Sequence, residues 1–279
     1  MTHTPMATSV ICAKTDGYAG QPNDRVLRAI ADAGFRYVEL EAVVSPHARY
    51  VPEQLDSAGL ATVLAELRAH GVTPVSVAGH ADLDDPAGVA ALRRRIDFAV
   101  AVGARFVTTG TGHTDEAAAA ERFFALAPDW IAATAARGVT IALESHGGLT
   151  GTGSAARQTI ERLNSPWVRV NYDPANVIYF AGLRPEPDLP LIADYVVHFH
   201  VKDSSGQPEV WDFPTPGQGT IDFASLFRTL HAVGYNGPYS VEMEQPGRSV
   251  TEQDQALRQA YQFIAATLAA VAAESQPPE

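Results

Sequence analysis

Short apolar runs alternate along the chain with longer segments in which apolar residues recur at helical spacing. Eight runs rich in β-branched and aromatic residues predict strands, at 9–13, 36–41, 73–78, 105–109, 139–144, 168–173, 196–201 and 238–242. Helical spacing predicts seven helices between or after them, at 24–33, 60–70, 86–102, 116–137, 154–164, 222–233 and 251–273. This alternation indicates repeated βα units and therefore a parallel sheet with helical crossovers.

Five of the predicted helices end in a glycine just before a strand begins. These glycines are Gly34, Gly71, Gly103, Gly138 and Gly234. Glycine after a helix end readily takes the left-handed conformation that stops the helix. Eight strands that alternate with helices over about 250 residues are typical of an α/β fold, the single (β/α)8 TIM barrel. A doubly wound open sheet is the alternative, although no Gly-x-Gly-x-x-Gly follows the first strand.

Composition narrows the class of protein. No Pro/Gly/Ser-rich linker interrupts the chain, so residues 1–279 are expected to form one barrel domain, with a frayed tail at 274–279. The net charge of -12 argues against a nucleic-acid partner. A single cysteine fits a reducing compartment. No apolar run approaches the roughly 20 residues of a membrane span, and no signal peptide is recognisable. We therefore expect a cytoplasmic protein with no membrane partner.

Polar residues are concentrated where predicted strands end. In the run 196–203, His198, His200 and Lys202 alternate with apolar residues and share one face of the strand. Three further runs end in acids, and the set proposed as metal ligands is Glu144, Asp173, His200 and Glu242. Three carboxylates and one imidazole suit one divalent ion, with Mn²⁺ favoured and Mg²⁺, Co²⁺ or Zn²⁺ left open. His198 is expected one pleat deeper in the barrel. It is either a buried structural residue or a further metal ligand.

The same strand ends supply candidate acid–base groups. Glu144 and Glu242 belong to the fifth and eighth strands, so they are placed to flank a substrate as catalytic base and acid; the alternative is that both are only ligands. Glu39 and Glu41 are expected to line the pocket wall. The residues expected to contact the substrate are His80, His113, His146, Asn176, Lys202 and Trp211.

These segments resemble the xylose-isomerase-like TIM barrels, a superfamily of sugar phosphate isomerases and epimerases that also includes the AP endonuclease 2-type barrels. The resemblance is carried by 142–146, 171–176, 198–203, 217–223 and 240–242, and extends over nearly the whole chain. It implies one metal ion held by Glu, Asp, His and Glu from strands five to eight, which correspond to the four ligands above. It also implies that the two Glu residues exchange a proton through an enediolate.

Two differences from known branches of that family limit the choice of function. The ketose 3-epimerases place His three residues after the metal Asp, where this chain has Asn176, which argues against a free ketose as substrate. The nuclease branch has additional His and Asp ligands, where this chain has 217–219, Gly-Gln-Gly.

The expected function is a metal-dependent isomerase or epimerase of a ketose or related polyhydroxy carbonyl compound. The alternatives are a lyase on a keto-cyclitol or keto-glycoside, or a non-catalytic sugar-binding barrel. The resemblance further implies a homo-oligomer, a dimer or tetramer.

Overall fold

Eight parallel strands close into a barrel in which each strand pairs with its neighbours in the chain, β1 to β8. The structure, a computed structural model, describes residues 9–18, 20–43, 50–245 and 247–274. The strands are β1 Val10–Lys14, β2 Tyr37–Glu41, β3 Thr73–Ala78, β4 Phe106–Thr109, β5 Thr140–Glu144, β6 Val168–Tyr172, β7 Val196–Val201 and β8 Pro238–Val241. Each lies within one residue of its predicted bounds. The predicted fold class, a single (β/α)8 TIM barrel, is confirmed.

Helices surround the barrel, and all of the α-helices except the two shortest overlap the seven helices that the apolar spacing predicted. They are α1 Asn23–Asp32, α2 Ser57–His70, α3 Pro86–Val102, α4 Ala117–Arg137, α5 Gly153–Leu163, α6 Pro174–Asn176, α7 Pro185–Asp188, α8 Phe223–Ala232 and α9 Val250–Glu274. All five glycines at the predicted joints have positive φ, between 63° and 109°. None of the described helices is long and apolar enough to cross a bilayer. The predicted tail at 274–279 lies outside the described residues except for Glu274, which ends α9.

The connection between β6 and β7 departs from the regular pattern of eight long helices. It consists of the single turns α6 and α7, a π-helical turn at Val177–Ala181 and two 3₁₀ turns at Leu189–Leu191 and Ala193–Tyr195. Four prolines lie in this connection, Pro174, Pro185, Pro187 and Pro190. Proline lacks the N–H that an interior helical residue donates, so it is accepted in the first turn of a helix and breaks a longer one.

Strand β7 shows how alternation separates the apolar layer from the polar interior. Phe199 points outward and packs against Phe227 of α8, with ring centroids 5.9 Å apart, and against Tyr239 of β8 at 6.0 Å. Burying such a side chain contributes about 1.5–3 kcal/mol. Its neighbours His198 and His200 point into the barrel and are fully buried. The outward packing of Phe199 therefore fixes which way the two imidazoles face.

The long loop after β7 is held by one buried carboxylate. Oδ2 of Asp203 accepts hydrogen bonds from the backbone N–H groups of Gly217 and Gly219, both at 2.9 Å. Oδ1 accepts from the backbone of Ser204 at 2.9 Å and Ile221 at 3.3 Å. A Cβ at Gly219 would lie 2.2 Å from Asp203 Oδ1, so the close approach requires glycine. Asp203 thus ties together both ends of the loop that carries the predicted substrate contact at position 211.

We expect Asp203→Asn to lower the free energy of unfolding by about 1–3 kcal/mol, because one acceptor oxygen becomes a donor facing backbone N–H groups. Denaturant unfolding measures this change. The matched control is Asp212→Asn in the same loop, where the side chain is exposed and the change should stay within about 0.5 kcal/mol. Equal stability of the two variants would contradict the role given to Asp203.

Candidate active site and metal centre

Four side chains predicted as metal ligands meet at the carboxyl end of the barrel. Glu144 ends β5, Asp173 follows β6, His200 lies in β7 and Glu242 follows β8. All four are buried, and one potential ligand atom from each lies within 4.8 Å of the others. His200 Nδ1 is 2.8 Å from Glu242 Oε2, and 3.7 Å from both Glu144 Oε1 and Asp173 Oδ2. Side chains from four strands therefore converge on one point.

The chemistry of this cluster suits a cation. Oδ1 of Asp173 accepts from the backbone N–H groups of Ala175 and Asn176, at 2.9 and 3.0 Å, and so caps α6. Oδ2 is left buried and, among the described residues, has no hydrogen-bond partner. A buried carboxylate oxygen without a donor is costly unless a cation faces it. Three carboxylates and one imidazole are a donor set that Mn²⁺, Mg²⁺, Co²⁺ and Zn²⁺ all accept.

Glu39 of β2 lies beneath the cluster and orients its imidazole. Its Oε2 is 3.0 Å from His200 Nε2 and accepts from Ser240 Oγ at 2.6 Å, while Oε1 accepts from Thr108 Oγ1 at 2.7 Å. Burial raises the pKa of Glu39, but His198 and His200 outweigh that effect and hold the pKa well below its usual range. An ionised Glu39 accepts the Nε2 proton of His200 and leaves Nδ1 facing the other three acids. A carboxylate behind a metal-binding histidine commonly has this role. Glu39 is thus a floor residue, not part of the predicted pocket wall.

His198 is fully occupied by protein partners. Its Nδ1 is 2.9 Å from Asn171 Oδ1, and its Nε2 is 2.9 Å from Ser76 Oγ. Burial lowers the pKa of His198 to about 4, so the ring is neutral near pH 7. Of the two interpretations left open, the contacts favour a structural role.

Glu144 is held by groups that were predicted to contact the substrate. Oε1 accepts from Asn176 Nδ2 at 2.9 Å, and Oε2 lies 3.0 Å from Nε2 of His80. The backbone N–H of Gly110 donates to His80 Nδ1 at 3.2 Å, which leaves the ring proton on Nε2, facing Glu144. Burial raises the pKa of Glu144, yet His80 and His200 together hold it well below its usual range.

A cavity of about 550 Å³ opens above these groups, which is a size typical of small-molecule sites. Five of the six predicted substrate contacts line it: His80, His146, Asn176, Lys202 and Trp211. The sixth, His113, does not.

Two of the residues that line the cavity, His146 and Lys202, pack against aromatic rings. His146 contacts the ring of Phe180 with centroids 4.6 Å apart, and burial lowers the pKa of His146. Lys202 Nζ lies 4.3 Å from the ring centre of Phe213 and 5.6 Å from that of Trp211, distances typical of a cation–π contact. The same ammonium is 2.5 Å from Glu244 Oε2, so Lys202 contacts both aromatic rings and an acid that lines the cavity.

The prediction for His113 is wrong in position. Its side chain is 86% exposed and lies 3.8 Å from Asp82, and its backbone N–H donates to Asp84 Oδ1 at 3.2 Å. The residue before it, Gly112, has φ 86°, in the left-handed region. A histidine soon after a strand reaches the cavity only if the loop points inward, and strand alternation says nothing about the loop.

Lys14 was not among the predicted site residues, although it lines the cavity. It ends β1, and its Nζ lies 2.7 Å from Glu242 Oε1, 3.0 Å from Asp16 Oδ2 and 3.4 Å from Glu41 Oε2. The sequence did contain a signal for Lys14. It ends an apolar run and lies two residues after the buried Cys12, on the same face of the strand. Asp16 is close in sequence, but sequence proximity could not reveal the contact with Glu242, which is 228 residues away.

The fold and this site define a class of protein. Residues 27–267 match the model of the xylose isomerase-like TIM barrel family, so the chain belongs to that family. Curated relatives include L-ribulose-5-phosphate 3-epimerase UlaE of Salmonella paratyphi C, 36% identical over 81 residues. The putatively assigned enzyme SgbU of Escherichia coli, with the same activity in its name, is 35% identical over 88 residues. These alignments cover 29% and 30% of this chain, and only 28% and 30% of the relatives.

Solved structures share the fold over nearly the whole chain. A xylose isomerase domain protein from Planctomyces limnophilus aligns with a TM-score of 0.80 at 20% identity, covering 96% of this chain and 99% of that one. An L-ribulose 3-epimerase gives 0.79 at 19% identity, covering 96% and 97%. A protein from Mycobacterium smegmatis in complex with magnesium gives 0.77 at 17% identity, covering 95% and 98%. At these identities the likeness establishes the fold alone.

We expect Glu39→Gln to weaken the binding of added Mn²⁺ by roughly 10–100-fold, because the acceptor that orients His200 is lost. Isothermal titration of chelator-treated protein measures the affinity. Glu53→Gln, in a partly exposed ion pair with Arg94, is the matched control and should bind like the wild type. An unchanged affinity in Glu39→Gln would show that Glu39 does not orient a metal ligand.

Proposed function

We propose that this protein is a metal-dependent sugar isomerase or epimerase that acts on a ketose or related polyhydroxy carbonyl compound through an enediolate. The observation that carries the proposal is the pair of buried carboxylates, Glu144 at the end of β5 and Glu242 just after the non-adjacent β8, both facing His200 Nδ1. Two carboxylates on separate sides of one cavity can remove a proton from one face of a carbon and return it to the other. The epimerase names of the curated relatives support the same chemistry.

The proposed ion would be held by Glu144, Asp173, His200 and Glu242. Bound there, a divalent cation would polarise the substrate carbonyl and lower the cost of the negative charge that develops on its oxygen. Mn²⁺ as the ion, a cytoplasmic location and a homo-oligomer remain predictions.

The protein's own groups divide the remaining work. Glu144 would take the proton beside the carbonyl, with Asn176 and His80 fixing the positions of its two oxygens. Glu242 would deliver a proton to the opposite face. Lys202 and His146, which line the cavity, would hydrogen-bond substrate oxygens, and Trp211 would cover an apolar face of the sugar.

The test is hydrogen–deuterium exchange at the carbon beside the carbonyl, followed by NMR in D₂O. Chelator-treated protein is restored with Mn²⁺ and offered ketopentoses and ketohexoses with and without a 5- or 6-phosphate. We expect exchange and epimer formation that are lost again on chelation. Release of water with a new enone absorbance would indicate the lyase alternative, and stoichiometric binding without exchange the sugar-binding barrel.

Glu144→Gln and Glu242→Gln should each lower kcat by about 10²–10⁴-fold, the usual contribution of a general acid or base. Because both carboxylates are also proposed metal ligands, the Mn²⁺ affinity of each folded variant is measured first and turnover is compared at saturating Mn²⁺, so that a loss of kcat there reports the proton-transfer role. Glu121→Gln, at an exposed ion pair with Arg162, is the matched control. Wild-type turnover in either cavity variant would rule out the assignment of that carboxylate.

A further inference from the structure

Lysine is used very selectively in this chain. Of the 20 Lys and Arg residues, only Lys14 and Lys202 are lysines. Both are buried and both line the same cavity. Every cation on the described outer surface, in ion pairs such as Arg93–Asp129 and Arg137–Asp97, is an arginine. A lysine ammonium is a compact charge, whereas an arginine guanidinium is planar and larger, so the two are not interchangeable in a closely packed site. Both lysines of this chain lie in such a site.

Lys14 and Lys202 lie on the Glu242 side of the cavity. Oε1 of Glu242 is 2.7 Å from Lys14 Nζ and 3.9 Å from Lys202 Nζ. The opposite carboxylate, Glu144, is held instead by an amide and an imidazole, from Asn176 and His80. The two proposed proton-transfer groups therefore have different surroundings.

The two carboxylate oxygens of Glu242 have different partners. Oε1 faces the ammonium, and Oε2 faces His200 Nδ1 at 2.8 Å, at the point where the four candidate ligands converge. Asp16 and Glu41 hold Lys14 from its other sides, at 3.0 and 3.4 Å, and so keep Nζ in place. Its three donors thus have carboxylate partners on three sides, which a longer, planar guanidinium would not match.

We propose that Lys14 is a positioning residue for Glu242: its ammonium retains Oε1, so that Glu242 presents Oε2 alone to the metal position and keeps one carboxylate orientation toward the substrate. The inference rests on the proposed function for its catalytic meaning. Its structural part, that Lys14 and His200 each face a different oxygen of Glu242, does not depend on any substrate.

The first test follows proton transfer from each of the two epimers separately, in Lys14→Met and Lys14→Arg. We expect Lys14→Met to lower kcat about 100-fold, the order of loss for a misplaced catalytic group, with KM within about twofold. Deuterium wash-in should persist from the epimer that Glu144 deprotonates, while wash-in from the other epimer and interconversion are lost. Lys14→Arg keeps the charge and should restore folding and part of kcat. Arg93→Met, on the exposed surface, is the control.

Equal slowing of wash-in from both epimers, or a parallel loss in KM, would overturn the proposal, because Lys14 would then support the whole cavity and not Glu242 in particular. Wild-type exchange with unchanged kinetics in Lys14→Met would overturn it while leaving the proposed function intact.

The second test needs no turnover, so it separates the positioning role of Lys14 from the proposed function. Crystal structures of the Mn²⁺-loaded wild type and Lys14→Met, or Lys14→Arg if the first does not fold, report the Glu242 carboxylate directly. We expect one oxygen, Oε2, toward the ion in the wild type, and both oxygens or a rotated carboxylate in the variant. The same one-oxygen geometry in wild type and variant would overturn the role of Lys14, whatever the substrate proves to be.

Discussion

The burial of many carboxylates at one end of the barrel is the constraint on which the rest of the site depends. Glu39, Glu144, Asp173 and Glu242 are all almost inaccessible, and like charges in such a place repel one another and lose their hydration. Within the described residues, Lys14, Lys202 and the imidazole of His200 counter part of this charge. Burial also raises the pKa of Glu41 and of Glu244 to about 7, so each carries only part of a charge near neutrality. A divalent cation at the converging ligands would balance much of the remainder.

The parallel barrel supplies the geometry that this balance requires. Each strand delivers side chains to the interior at every second position, and all eight strands end at the same rim. The register pairs Glu144 with Asn171, Asn171 with His198, and His200 with Ser240. Polar residues of neighbouring strands therefore lie at matching depth, which lets His198 and Glu39 fill a hydrogen-bonded layer below the candidate ligands. That layer holds the imidazole of His200 in a single orientation.

The cavity is chemically unequal on its two sides, although both proposed proton-transfer groups are glutamates. Around Glu144, the Asn176 amide only donates a hydrogen bond, whereas the imidazole of His80 can exchange its proton and remains 28% exposed to solvent. The ammonium groups of Lys14 and Lys202 around Glu242 are almost fully buried and offer positive charge. The unequal surroundings give the two faces of a bound sugar different chemical environments, which a symmetrical pair of carboxylates would not do.

Local residue spacing was enough to predict the strands, the long helices and the four candidate metal ligands. Alternation along 196–203 and the acids that end three other strands were enough to group Glu144, Asp173, His200 and Glu242, because the side-chain period of a strand is local and parallel strands share one rim. Tertiary structure alone decided the path of the loops and the pairing of distant strands. His113, just after Gly112, is exposed to solvent, and barrel closure brings Lys14 of the first strand against Glu242 after the last. Neither outcome is encoded in local spacing, because each depends on which segments pack together once the sheet has closed.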